Sequence, residues 1–248
     1  MTRHYAKEYY QRILEIQQKV IDAELETIEQ VGQVFSKTIQ KGNNVFVFGA
    51  SHAGIIAEEM FYRTGGLALI NPMFNPTLML NTRPVSLTSQ MERLDGFGKN
   101  IFNGYPVKEG DTLLIHSVSG RNTVTIDMAE EAKKRGVTVV VITNMVYTKG
   151  VTSRHPSGKN LYEFADYLID NHGNFEDSAI ALTDMNQKSG ATSSVIGCMI
   201  ANMILLATIQ DLQASNIEPP VFRSANVDGG DAFNAKIFSQ YKEQIHYM

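Results

Sequence analysis

The sequence has one cysteine, no tryptophan and no long uninterrupted apolar stretch among its 248 residues. The lone cysteine, Cys198, cannot form a disulfide within the chain, and its apolar neighbours favour a buried thiol in a reducing compartment. The longest apolar run, residues 195–209, is interrupted by Asn202 and is short for a membrane span, so we expect a core helix there. Residues 1–18 are mixed polar and charged, unlike a secretory signal peptide. We therefore expect a cytoplasmic protein with no membrane partner.

The chain also lacks an excess of positive charge. Charged residues make up 19% of the chain and the formal net charge is -4 at pH 7, so we expect no basic surface for nucleic acid and no nucleic-acid partner. Hydrophobic residues make up 43%, enough for a sizeable core in a chain of this length. We expect a single domain over residues 1–248, with an N-terminal helical extension (1–41), a core (42–215) and a C-terminal tail and helix (216–248).

The most informative stretch is residues 112–144. Thr112–His116 is mostly apolar or β-branched and predicts a buried strand, a helix follows and ends at Gly136, and residues 137–143 predict a second buried strand. The loop that opens the helix is polar. A helix N-terminus presents unpaired N–H groups and partial positive charge, which suits an anion. A single N-cap, the ordinary alternative, would explain one polar residue but not the set Ser117, Ser119, Asn122 and Thr123.

This loop, which reads Ser-x-Ser-Gly-x-Asn after a buried strand, resembles the phosphate-binding loop of the sugar isomerase (SIS) domain family. In that family the loop holds the phosphate of a phosphosugar. Asn122 stands where most members have Thr, so an amide contact would replace a hydroxyl contact. Arg121 and Asn122 also resemble the Ser-Gly-Arg-Thr of the N-acetylmuramic acid 6-phosphate etherases, which are SIS proteins. The resemblance assigns phosphate binding to Ser117, Val118, Ser119, Gly120, Arg121, Asn122 and Thr123.

Residues 45–48 predict another buried strand, and the turn that follows it is bracketed by Gly49 and Gly54. Glycines there allow a ligand to approach the backbone closely, although the spacing does not complete the dinucleotide-binding fingerprint. The turn resembles the first SIS loop, Gly-x-Gly-x-Ser-(Gly/Ala), with Ser51 at a usual Gly position and Ala53 at the usual Ser position. The start of the long apolar helix after residue 190 resembles the last SIS helix, which borders the sugar. These likenesses add Ser51, His52 and Ser193 as predicted ligand contacts.

The resemblance covers most of residues 40–215 and implies the SIS fold. This is a three-layer αβα sandwich around a mostly parallel sheet of five strands, with binding at the carboxyl ends of the strands. Apolar residues recur at helical spacing over residues 4–41 and predict one long helix before this core. Its apolar stripe must pack on the body or on another subunit. SIS proteins often use such helices in dimer packing, so we expect a homodimer or homotetramer.

Aldose–ketose isomerisation needs a base that removes the proton from the carbon beside the carbonyl. Phosphoheptose isomerases use a Glu just after the first-loop helix and a His in the last helix, and the last helix here has no His. We assign the base to Glu59 or His52. Glu58 and Glu59 are on adjacent helix faces, so at most one points inward, and His116 is more typical of a core histidine. No residues have metal-ligand spacing and no cofactor is expected.

Two functions of different classes remain open. The first is a sugar-phosphate isomerase, or an etherase-like lyase as its variant, and the second is a non-catalytic sugar-phosphate sensor. Both imply a small-molecule sugar phosphate as the partner. Residues 72–100 are loop-rich and either close over the site or only connect elements. An insertion within residues 145–163 carries Arg154, His155 and Lys159, which either meet a second anion or form a solvated loop.

Overall fold

The first element is a helix of 36 residues, α1 (Tyr5–Gln40). A computed structural model describes residues 3–248. The apolar stripe of α1 is buried against the body of the chain, with Val20, Val31 and Phe35 fully covered. The predicted long helix is therefore confirmed. Part of its other surface remains exposed, and the homodimer or homotetramer expected from it stays a prediction.

The centre of the fold is a parallel sheet of five strands in the order β2-β1-β3-β4-β5. All four neighbouring pairs are parallel, which confirms the predicted sheet. Its strands are mostly continuous apolar runs because helices cover both faces. The strands are β1 (Val45–Gly49), β2 (Ile70–Pro72), β3 (Thr112–His116), β4 (Thr138–Thr143) and β5 (Tyr167–Asp170).

Side chains of β1 alternate between two hydrophobic cores, one on each face of the sheet. Val45 and Val47 belong to the core beneath α1, while Phe46 and Phe48 belong to the core on the other face. The first core also receives α2 (Ile55–Met60), α7 (Ser193–Ala214) and α8 (Gly230–Gln240), and the second receives α4 (Phe97–Asn103) and α5 (Thr123–Lys134). Two further short helices are α3 (Ser86–Met91) and α6 (Met145–Lys149). The architecture is the predicted three-layer sandwich.

The apolar run after residue 190 forms α7, which packs along α1. The two helices approach closely at Gly32, where an added Cβ would lie 2.4 Å from the Cβ of Ala207. By length and composition α7 is apolar enough to cross a membrane, with a mean hydropathy of 1.8 over its most apolar window. Of that window, 44% is buried inside the structure, and core helices commonly have this composition.

Two predicted elements differ in extent. The largely apolar residues 179–183 predict a strand. The structure has only the two-residue β6 (Ile180–Ala181), which pairs antiparallel with β7 (Lys188–Ser189) outside the main sheet. The loop-rich segment over residues 72–100 contains the short helices α3 and α4 rather than irregular chain alone. This segment connects β2 to β3, which lie on either side of β1 in the sheet.

Candidate functional site

Two loops lie side by side at the carboxyl edge of the sheet. They are the first loop (residues 50–54), which follows β1, and the second loop (residues 117–122), which follows β3. The strands are hydrogen-bonded neighbours in parallel register, with Gly49 opposite His116 at their ends. Loops at this edge of a parallel sheet are where ligands bind in open α/β folds.

Carbonyl groups of the second loop accept hydrogen bonds from other parts of the chain. The Leu161 N–H donates to the Gly120 carbonyl at 2.8 Å, and the Asn144 N–H donates to the Val118 carbonyl at 3.1 Å. The Thr143 hydroxyl donates to the Ser117 carbonyl at 2.6 Å. By contrast, the backbone N–H groups of residues 118–122 donate no hydrogen bond to any of residues 3–248. The loop thus presents five consecutive donors at the start of α5, where they suit an anion.

Gly120 is required for this loop conformation. Its φ is +60°, a region that side chains with a Cβ rarely adopt, and an added Cβ would lie 2.8 Å from the Thr148 hydroxyl oxygen. Asn122 is at the N-cap position of α5, yet its side chain makes no capping bond. The capping alternative for Asn122 therefore fails, and its amide instead bonds to Glu92 and Arg154.

The hydroxyl groups of the second loop divide into two kinds. Those of Ser117 and Ser119 have no hydrogen-bond partner in the part of the chain from residue 3 onward, so both can meet a ligand. The Thr123 hydroxyl is already used, since it lies 3.3 Å from the Arg93 carbonyl and 3.4 Å from the Arg154 carbonyl, both acceptors. Of the predicted hydroxyl contacts, the structure leaves Ser117 and Ser119 free.

Glu92, at the C-terminal end of α3, connects the two loops. Its Oε1 accepts a hydrogen bond from the Ser51 hydroxyl of the first loop, and its Oε2 accepts one from Asn122 Nδ2 at 2.6 Å. Its backbone carbonyl accepts the Val124 N–H at 3.1 Å, which occupies one donor in the first turn of α5. Residues 72–100 therefore reach over both loops. Sequence reasoning missed Glu92, because nothing local to it indicates contacts so distant along the chain.

The insertion within residues 145–163 brings one of its three candidate side chains to the second loop. Arg154 Nη1 donates to Asn122 Oδ1 at 2.7 Å. Burial lowers the pKa of Arg154, and the positive charges of the nearby Arg121 and Arg93 lower it further. Lys159 instead lies over the Phe164 ring, 5.6 Å from its centroid.

His155 turns away from the loop to the buried carboxylate of Asp127, with His155 Nε2 3.3 Å from Asp127 Oδ1. Asp127 also accepts the Gly98 N–H at 3.2 Å and has the Lys99 ammonium 3.7 Å away. Asp95, Asp127 and His155 form a group of potential metal ligands that the spacing of these residues in the sequence did not indicate. Since Asp127 is already bonded to His155 and Gly98, and Lys99 supplies a positive charge, we assign this group no metal.

A small cleft borders the first loop. Its walls include Ser51, Glu58 and Asn75, together with Gly49, Gly54, Phe74, Leu78 and Met79. Ser51 has a φ of +52°, which is uncommon for a residue other than glycine. His52 is exposed beside it. The structure thus places both predicted first-loop contacts, Ser51 and His52, at the edge of the candidate site.

Glu59, one of the two predicted bases, contacts α7 instead of this cleft. Its Oε1 accepts a hydrogen bond from Asn202 Nδ2 at 2.9 Å and pairs with Arg63. Its neighbour Glu58 is the glutamate of α2 that lines the cleft. Adjacent helix positions differ by about 100° in direction, which is why only one of the two can face the first loop.

Ser193, the predicted contact at the start of α7, is bonded to another part of the chain. Its N–H and its hydroxyl donate to the Asp177 carboxylate at 2.9 and 2.6 Å, and the Thr192 N–H donates to the same group at 3.0 Å. A carboxylate at a helix N-terminus is favoured by the helix dipole. The chain's own Asp177 therefore occupies the donors that a ligand would need there.

His116 is buried at the end of β3, as expected for a core histidine. Its Nδ1 lies 3.0 Å from the Ala53 carbonyl oxygen, an acceptor, so the Nδ1–H form is favoured. Its Nε2 has no hydrogen-bond partner within residues 3–248. Burial lowers the pKa of His116, so the imidazole is neutral at physiological pH.

The sequence of this chain matches a known protein family. The pattern of the SIS domain matches residues 8–144, more than half of the chain. The chain belongs to the SIS domain family. A UPF0309 protein of Shouchella clausii is 48% identical over 244 residues, which cover 98% of this chain and 99% of that one.

Solved structures of SIS proteins share the fold. A phosphoheptose isomerase from Francisella tularensis superposes with a TM-score of 0.55 at 18% identity, covering 83% of this chain and 97% of that one. The NanR protein of Vibrio vulnificus, in complex with ManNAc-6P, gives a TM-score of 0.50 at 15% identity, covering 87% of this chain and 68% of that one. At these identities the likeness establishes the SIS fold.

Proposed function

We propose that this SIS protein binds the phosphate group of a sugar phosphate on its second loop. The observation that carries the proposal is the run of five backbone N–H groups over residues 118–122 that no residue from 3 to 248 accepts. Unpaired donors at a partly covered site are costly unless a ligand or water satisfies them. Here they are consecutive, and the free hydroxyls of Ser117 and Ser119 accompany them.

The charges around the loop support a phosphate. Arg121 and Arg154 flank Asn122, and guanidinium groups are the side chains best suited to phosphate oxygens. The sugar would extend from the second loop toward the cleft at the first loop, where Ser51 and His52 lie. This direction is supported by Glu92, which contacts both loops.

The reaction we propose is aldose–ketose isomerisation by proton transfer beside the carbonyl carbon. The presence of phosphoheptose isomerases among proteins of this fold supports it by analogy. An etherase-like lyase acting on an amino-sugar phosphate would begin with the same proton removal and differ in the step that follows. His52, exposed at the first loop, remains one candidate base, and Glu59 would have to leave Asn202 to act as the other.

A thermal-shift titration tests the binding proposal. Orthophosphate and a panel of sugar phosphates are added to the parent and to Ser119→Ala, with Ser239→Ala, at an exposed position of α8, as the matched control. A ligand at 100 times its Kd adds about 2.7 kcal/mol, which raises the Tm of a chain of this size by about 5–11 °C. We expect that shift in the parent and the control, and a large loss of it in Ser119→Ala. No shift with any phosphate in the parent would refute the proposal.

The second candidate is a non-catalytic sugar-phosphate sensor. It is favoured by the NanR neighbour, which is a complex with ManNAc-6P, and by the hydroxyl and N–H groups that dominate the second loop. A sensor binds sugar phosphates without exchanging their carbon-bound protons. Deuterium incorporation from solvent therefore separates the two candidates once a ligand is known.

A further inference from the structure

The proposed isomerisation needs a base between the two loops, and the structure places a carboxylate there. We propose that Glu92 is the residue that carries the proton in this reaction, an assignment that rests on the proposed function. Its two carboxylate oxygens contact different loops, Oε1 accepting from Ser51 and Oε2 from Asn122 at 2.6 Å. Glu92 thus lies between the residues proposed to hold the phosphate and those proposed to meet the sugar.

The two hydrogen bonds orient the Glu92 carboxylate and still leave lone pairs on its oxygens. Each carboxylate oxygen has two lone pairs, so one bond to each oxygen leaves a second lone pair on each for a substrate proton. The backbone is held as well, because the Val124 N–H of α5 donates to the Glu92 carbonyl at 3.1 Å. A base whose orientation is set before the substrate arrives avoids part of the entropic cost of positioning.

A carboxylate beside a bound phosphate would be repelled unless positive charge lies between them. Arg154 interacts with Glu92 as well as with Arg121 and Arg93. Within residues 3–248 none of these three arginines has a carboxylate oxygen within 4.0 Å, so no ion pair neutralises them. Three guanidinium charges can therefore balance Glu92 together with a phosphate.

Three other acidic or basic groups near the loops are less suitable. Glu59 is held by Asn202 and Arg63 against α7, and His116 is buried beneath the first loop. Glu58 lines the cleft but is exposed, and no hydrogen bond within the described chain orients its carboxylate. Glu92 is the carboxylate that both loops hold in place.

The proposed reaction consists of proton transfers only. The Glu92 carboxylate takes the proton from the carbon beside the carbonyl, and the electron pair of that C–H bond forms a carbon–carbon double bond. The carbonyl oxygen takes up a proton from solvent, which gives an enediol. Glu92 then returns its proton to the former carbonyl carbon while the other enediol oxygen releases its proton to solvent. The product is the isomeric sugar phosphate, with no oxidant or reductant consumed.

The test combines binding with proton exchange. The parent, Glu92→Gln and Glu92→Asp are titrated with orthophosphate and with aldose and ketose phosphates in thermal-shift assays. They are then incubated with the same sugars in D₂O, and deuterium on the carbon beside the carbonyl is measured by mass spectrometry. Asp95→Asn is the matched control, because it removes one negative charge from the same segment. Within residues 3–248, the Asp95 side chain makes no hydrogen bond to Ser51 or Asn122. General base catalysis contributes about 100-fold or more, so Glu92→Gln should bind but exchange at least about 100-fold more slowly.

The outcomes separate this assignment from the proposed function. Exchange by Glu92→Gln within about 5-fold of the parent would overturn the role of Glu92 and leave an isomerase with another base. Loss of binding together with exchange in Glu92→Gln, restored fully in Glu92→Asp, would make Glu92 a structural link and would equally overturn the assignment. Binding without exchange in the parent would remove the reaction and favour the sensor. Failure of the parent to bind any phosphate would refute the proposed function itself, and the assignment with it.

Discussion

Replacing Gly120 by alanine tests whether the second loop depends on a backbone shape that only glycine allows. The residue has a φ of +60°, and the left-handed region costs a residue with a Cβ about 1–2 kcal/mol. The new Cβ would also lie 2.8 Å from Thr148 Oγ1 and 3.3 Å from Thr143 Oγ1. Thr148 is buried and β-branched, so moving its hydroxyl means an off-rotamer χ1 that costs about 0.5–1.5 kcal/mol.

The two terms together predict that Gly120→Ala lowers the free energy of unfolding by about 1.5–3.5 kcal/mol. For a chain of this length that corresponds to a Tm lower by about 3–14 °C. Gly158→Ala is the matched control, since Gly158 also has a positive φ, +73°, but nothing lies within 4 Å of its added Cβ. It should show only the backbone cost.

The assay is thermal unfolding of the parent and both variants, without and with saturating orthophosphate. We expect Gly120→Ala to melt below Gly158→Ala and to gain little from phosphate, because its loop N–H groups would be displaced. Gly158→Ala should gain as much from phosphate as the parent. If Gly120→Ala melts within about 1 °C of the parent, or gains the full phosphate shift, the geometry we describe for the second loop is wrong.

Two further predictions concern groups beside the site. Asp177→Ala should cost about 1–2 kcal/mol of unfolding free energy, because the N–H groups of Thr192 and Ser193 lose their acceptor, and an unchanged urea midpoint would contradict this. His116 makes the stability of the fold depend on pH, because burial lowers its pKa in the folded chain. As the pH drops below about 6.5, the unfolded chain therefore takes up a proton on this histidine before the folded chain does, and the stability falls. His116→Gln should flatten that dependence by up to about 1.4 kcal/mol per pH unit in urea unfolding between pH 7.5 and 5.5, and an unchanged slope would show that His116 is not the group responsible.

Local pattern was sufficient for the sheet and for the second loop. The strands β1, β3 and β4 are mostly apolar runs, as is typical of a sheet covered on both faces, so their positions could be predicted within a few residues. The second loop could be predicted because its signal is local. The end of the strand, the hydroxyl residues, the glycine and the start of the helix all lie within about a dozen residues of the sequence. By contrast, residues 179–183 are apolar enough for a strand, but the adjacent turns leave only Ile180–Ala181 paired.

Contacts made across the fold could not be predicted from the sequence. Glu92 is 41 residues from Ser51 and 30 from Asn122, and no periodicity relates them. Arg154 and His155 are adjacent, yet one contacts Asn122 and the other Asp127. Which of two neighbouring side chains faces a site depends on the exact path of a loop, and the composition of the insertion does not determine that path.

Two helices begin at the same edge of the sheet, and the chain treats their N-termini differently. At α7 the Asp177 carboxylate binds Ser193 and Thr192, so an arriving anion would have to displace a bonded negative charge. At α5 the Glu92 carbonyl, which has no net charge, occupies only the Val124 N–H, and residues 118–122 keep their donors. Of these two N-termini, that of α5 is therefore the one with consecutive backbone donors left unpaired by residues 3–248, and it is the better position for an anion. In the proposed function, a phosphate held at α5 would leave the rest of the sugar to reach Glu92 and the first loop, which is the arrangement that proton transfer by Glu92 requires.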